Sequence, residues 1–402
     1  MQCKFLALAV TLALATTTFQ ADAQNTSDQE IAALKQNNST KVETKGGMKP
    51  TSADKNFEAR LGGRIHFDAY AFDNDIVSTT DTTQFRRARL TLAGKAFGWE
   101  YKVEQDFAAG SKLDGIRDLY IARPMLGGKV TIGHFKPYRS MEELTSANEI
   151  LMMERPSTSA TGLYTGRQFQ LGMGYLKAGR NYTLGVSAFN LRSAPTARSE
   201  GVGFSGRATW APVDNGRTTL HLGGSYSHEN LNKGAPNVSA VSNYGGRRGP
   251  SLTVATTTAA IGNNDSQVDT YGLEAAFVNG SFFVQSEYAR ASFGQVTGGS
   301  QDVDAFYVQG SWMLNGGKKV YKGATGVFGS PVVAAKGLWE LTARWDTMEN
   351  NDLLNTSTTS TILGLNYYLN ANMRLMFNYL RGENDKTGDE PSQFAIRTQF
   401  AF

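Results

Sequence analysis

From Leu61 to Phe402, apolar and polar residues alternate through a succession of short segments, and this period of two limits what the chain can become. Successive side chains of a strand point to opposite faces, so each segment carries one apolar face and one polar face. The clearest case is Phe85 to Phe107, FRRARLTLAGKAFGWEYKVEQDF. Ala88, Leu90 and Leu92 alternate with Arg87, Arg89, Thr91 and Lys95. After a turn at Phe97-Gly98, Trp99, Tyr101, Val103 and Phe107 alternate with Glu100, Lys102, Glu104 and Asp106. After residue 20, no apolar run reaches the ~18 residues of a membrane helix.

Alternation and turn signals give sixteen strands between Leu61 and Phe402. Short connections such as Phe97-Gly98 and Asn370-Ala371 alternate with long polar ones such as Asp73–Gln84 and Glu383–Ser392. That reads as an all-β fold: a transmembrane antiparallel β-barrel with short turns at one end and long loops at the other. The last strand puts Phe394, Ile396, Phe400 and Phe402 on one face, as outer-membrane barrels do at their assembly signal. A bilayer requires every backbone hydrogen bond to be made internally, so the last strand is expected to pair with the first. Lys136–Thr165 is too long for an idle loop and is expected to fold into the barrel as a constriction. Glu229–Asp269 is expected to be a second long outer loop, and Asn315–Gly337 a glycine-rich connection.

Ahead of the barrel, residues 1–23 have the charged start, apolar core and Ala21-Asp22-Ala23 site of a secretory signal peptide. Residues 24–56 are polar and read as a periplasmic tail, with the barrel at 57–402. The single cysteine, Cys3, lies in the leader, so neither disulfides nor a cysteine-based metal site is expected. A net charge of +4 is too small to argue for nucleic acid.

The Phe85–Asp106 run, GHFKPYRSMEELTSANEILMMERP (Gly133–Pro156), GRATWAPVDNGRTTLHLGGSYS and GLWELTARWD resemble the phosphate-selective porin O and P family. The resemblance implies a sixteen-stranded outer-membrane barrel, usually a trimer, that passes inorganic phosphate and related anions through a pore narrowed by in-folded loops. It also matches Arg86 and Arg87 to anion-contacting residues near the constriction, and Lys136 to the entry of the in-folded segment. Alternation alone turns Arg87 and Arg89 inward and Arg86 outward.

If the apolar faces meet lipid, the lumen receives Arg64, Arg87, Arg89, Lys95, Lys102, Arg207, Arg217, Arg344, Arg374 and Arg397. Facing them are Asp68, Glu100, Glu104, Asp106, Glu274, Glu287, Glu340 and Asp346. Guanidinium groups match phosphate oxygens by their planar fork, so the expected function is an anion-preferring pore. Many of these charges are equally suited to cross-strand ion pairs. The expected partners are phosphate or other small anions, outer-membrane lipid, two further copies of the chain, and the assembly machinery through Phe402. The alternatives are a general diffusion porin and a receptor or adhesin barrel. His66, His134, His221 and His228 are scattered, and no nucleophile or cofactor motif accompanies them, so neither catalysis nor a cofactor is expected.

Overall fold

The computed structural model describes residues 41–43, 48–109, 115–160, 163, 168–192, 200–258, 266–295, 298–333 and 337–402. The expected signal peptide and most of the tail lie outside the described residues. Sixteen long strands form the wall. They are β1 (Phe57–Asp73), β2 (Thr82–Ala96), β3 (Trp99–Asp106), β4 (Ile116–Met125), β5 (Gly128–Phe135), β6 (Gln170–Ala178), β7 (Tyr182–Leu191) and β8 (Gly201–Asp214). The second half comprises β9 (Thr218–Leu231), β10 (Gln267–Asn279), β11 (Phe282–Gly294), β12 (Ser300–Met313), β13 (Leu338–Asn350), β14 (Ser357–Tyr368), β15 (Met373–Asn384) and β16 (Ser392–Ala401). Each pairs antiparallel with the next. β16 pairs with β1 from Ser392↔Asp73 to Ala401↔Arg64, which closes the barrel.

Exposure is inverted relative to a water-soluble protein. Outward Phe85 is 60% exposed and Leu273 64%, whereas inward Arg397 and Glu340 are 0% exposed. Only an apolar surround reconciles those values. Aromatic side chains ring the turn end of the outer face: Trp339 stacks on Tyr367 at 4.2 Å and Phe282 on Trp312 at 5.8 Å. That is the girdle expected at a membrane–water boundary.

Three connections turn back into the barrel. The described part of the connection after β5, residues 136–160, enters from the loop end and contains the one-turn helices α1 (Met141–Leu144) and α2 (Ser157–Ala160). The connection after β9 enters from the same end. Its hairpin, Ser239–Ser242 with Leu252–Thr256, docks across the mouth, where Thr358 bonds Ser242 at 2.7 Å and Ser360 bonds the Tyr244 carbonyl at 3.0 Å. The third connection, after β12, departs from the expectation that turn-end connections are short. It forms a hairpin, Val320–Lys322 with Val327–Gly329, inside the barrel. Phe328 explains its position: it is buried against Phe283, Val278, Met141 and Leu151. Before β1, Lys41–Glu43 pairs with Lys49–Thr51, which bridges to β1 at Thr51↔Glu58. These two short strands lie within the stretch read as a tail.

Candidate functional site

The β1–β2 ladder slips by one residue. His66 faces Arg87 and Phe67 faces Phe85, which leaves Arg86 as an extra residue on β2. A bulge of this kind turns two successive side chains to one face. Arg86 therefore points into the lumen, not outward as strict alternation requires. It forms a two-point pair with Glu154 of the in-folded segment, Nε to Oε1 at 2.7 Å and Nη2 to Oε2 at 2.9 Å. Arg87 points inward as expected but is only 2% exposed, with Nη1 3.3 Å from His66 Nδ1 and 4.0 Å from Glu154. The arginine cluster has no acid in its own strand; its counter-charge comes from a different element.

That element crosses the lumen from wall to wall. Arg139 pairs with Glu229 at 2.6 Å, and Glu287 accepts the Met141 and Glu142 amides at 2.7 and 3.0 Å. Asn148 bonds His66 at 2.9 Å. Arg374 donates to the Ile150 carbonyl, Asn366 to that of Leu151, and Arg397 to that of Met153. Asp346 accepts the Ser157 amide at 3.0 Å. Buried polar groups need partners, and here wall side chains satisfy the backbone of the segment. Of the glutamates in this segment, Glu154 faces the wall arginines, also reaching Arg397 at 2.9 Å. Burial opposes its ionisation, but Arg86, Arg87 and Arg397 hold its carboxyl well below the usual range. Glu149 instead pairs with Lys322 of the turn-end hairpin at 2.6 Å, and Glu142 meets Gln285 at 2.9 Å.

Two cavities flank the segment. The loop-side cavity, about 120 Å³, is lined by Arg86, Glu154, Arg247, Arg344 and Asp346, with Ile362 and Leu380. The turn-side cavity, about 230 Å³, is lined by Arg64, Arg89, Lys102, Glu104, Asp118 and Lys136. Arg155 lines both. Its Nε donates to the Glu142 carbonyl at 2.9 Å and its Nη2 to that of Thr145 at 2.5 Å. Lys136 likewise donates to the carbonyls of Glu143 at 2.6 Å and Thr145 at 3.2 Å, with the Phe169 ring 5.6 Å away. Among the described residues neither cation has a carboxylate within 4 Å.

The other expected cations divide by role. Arg64 and Arg89 share Glu104 at 3.0 and 2.8 Å, Arg89 adds Asp106 at 2.9 Å, and Lys102 pairs with Asp118 at 2.5 Å. These three belong to the turn-side cavity, although most of their charge is matched. Arg344 donates to the Glu154 carbonyl at 2.9 Å. Arg207 is a wall anchor: it grips Glu274 through two bonds and the carbonyls of Thr325 and Gly326, pinning the turn-end hairpin. Lys95 is exposed near the turn end, level with Glu58 and Glu100 and outside both cavities. Arg155 and Arg247 were not singled out from sequence. Both lie in connections, where alternation gives no inward or outward sign.

Residues 59–402 match the family described as phosphate-selective porin O and P. The chain belongs to that family. It is an outer-membrane porin of a bacterial cell envelope. This porin is 26% identical to Porin O of Pseudomonas aeruginosa over 90% of the chain and 92% of that relative. Its barrel resembles that of a loop L8 deletion mutant of OmpT, an outer membrane protein of Vibrio cholerae. The identity is 12%, the coverage 86% of this chain and 100% of that one, and the TM-score 0.59. It also resembles an anion-selective porin from Comamonas acidovorans, with 14% identity, coverage of 86% and 99%, and a TM-score of 0.57.

Proposed function

We propose that this porin is an anion-preferring diffusion channel for phosphate and related small anions, with its selective step at Arg155 and Lys136. The observation that carries this is that both cations are held by backbone carbonyls and not by carboxylates. A carbonyl fixes the position of a cation without cancelling its charge, so Arg155 keeps a positive potential where the cavities meet, and Lys136, which shares the Thr145 carbonyl with it, adds to this while protonated. A passing anion sheds part of its hydration and takes guanidinium and ammonium donors in exchange. The family description supports phosphate as the ion. The chain works as a channel and not as an enzyme.

We further infer that residues 1–23 are removed on export and that three copies associate. Trimer formation is supported by the low wall: β3 and β5 have 8 residues each, below the ~9–11 a strand needs to span lipid. Phosphate titrated into a planar bilayer carrying chloride current tests the ion assignment. Block at millimolar or lower phosphate is expected, and current indifferent to phosphate would contradict it.

A further inference from the structure

The lumen face of a porin strand is ordinarily polar, and β14 to β16 break that rule beside the loop-side cavity. Ile362 on β14 and Leu380 on β15 both point inward and are direct cross-strand partners. Arg344 on β13 is the direct partner of Ile362, so a guanidinium and an apolar step sit side by side at one level of the wall. Ala395 on β16 and Tyr70 on β1 are cross-strand partners and line the same cavity. Ile362 and Leu380 back Met152 of the in-folded segment, and this contact accounts for part of their burial. It does not account for the cavity they also line, where an inorganic ion would have to face apolar surface on one side while keeping its hydration.

The charge at this level is positive. Arg86, Arg155, Arg247 and Arg344 face Glu154 and Asp346. Glu154 is already engaged by Arg86, and Arg247 makes no ion pair among the described residues. The arginines exceed the carboxylates by two, so charge draws anions in general, and the apolar surface is what separates an organic anion from inorganic phosphate.

Resting on the anion-channel reading, we propose that the loop-side cavity is a binding site for carboxylates with a compact apolar body, such as an aliphatic chain or a single aromatic ring. The carboxylate meets Arg247 and Arg344, and the body lies on Ile362 and Leu380. Apolar contact adds affinity in proportion to the area removed from water, which inorganic phosphate cannot gain.

Block of chloride current in planar bilayers carrying the full-length porin tests this, with benzoate, inorganic phosphate and the neutral probe benzyl alcohol compared. Benzoate is expected to block at lower concentration than phosphate, with no block by benzyl alcohol. Leu380→Asn is expected to raise the half-blocking benzoate concentration about five- to tenfold and to change phosphate block less. Ala395→Ser, which barely alters volume, is expected to move the benzoate-to-phosphate ratio in the same direction, so a folding defect in Leu380→Asn cannot decide the matter. Phosphate blocking as well as or better than benzoate, or variants that shift both equally, would overturn the proposal and leave the anion channel standing. A wild-type pore that prefers potassium over chloride would overturn the channel reading and this proposal with it.

Discussion

Arg86 is turned into the pore by one extra residue in β2, and with Arg397 it holds Glu154 from two sides. Three arginines thus surround one loop carboxylate, with Asp68 matching Arg397 as well. Glu154→Gln is expected to raise the preference for anions, since it removes negative charge beside the passage. It is also expected to lower the temperature at which the folded barrel loses its gel mobility, because the segment loses a tether. A reduced anion preference in this variant would refute the placement of Glu154 on the ion path. Lys136 makes a pH prediction. Burial first, then neighbouring Arg155, push its ammonium well below the ordinary lysine value, with Glu143 opposing. A base with a lowered pKa gives up its proton earlier as pH rises, so the cation is present at low pH and lost on the way up. Reversal potentials between about pH 6 and pH 10 should show anion preference declining before ordinary lysines titrate. Lys136→Arg should flatten that decline, because a guanidinium keeps its charge throughout.

At the scale of elements, each strand was legible because alternation and turn residues are local properties. The bulge at Arg86 was not, because a slip in register exists only relative to a partner strand, and β1 supplies it. The cations at the meeting of the cavities were half legible. Lys136 could be tied to the start of the in-folded segment, but Arg155 bonds backbone carbonyls, which every residue carries and no pattern marks. The inserted turn-end hairpin was missed because short periplasmic turns are the rule and its burial depends on Phe283 and Met141, remote in sequence. Removing Val320–Gly329 with a short glycine-serine replacement is expected to raise single-channel conductance, since that hairpin and the Lys322–Glu149 pair occupy lumen otherwise open to water. Unchanged conductance would mean that the hairpin lies off the ion path.

The whole molecule depends on its seam and on its neighbours. Phe402 exchanges both backbone bonds with Gly63 at 3.0 and 3.1 Å, and a Cβ on Gly63 would lie 2.6 Å from the Phe402 ring and from the Arg89 carbonyl. Gly63→Val should therefore impair barrel closure, seen as loss of the heat-modifiable gel form, while deletion of Phe402 should slow assembly. The low wall gives a separate test of trimer formation. Ile121→Cys, outward on β4, should give oxidised cross-linked species in membranes, whereas Leu273→Cys on the taller side should not; the reverse pattern would place the contact between copies elsewhere. The central claim, that carbonyl-held cations set the selectivity, is tested most directly by the zero-current potential across a potassium chloride gradient for the wild-type porin and Arg155→Gln. The expected result is a chloride-selective potential in the wild type that moves clearly toward zero in Arg155→Gln. A potential that is unchanged in the variant would contradict the claim.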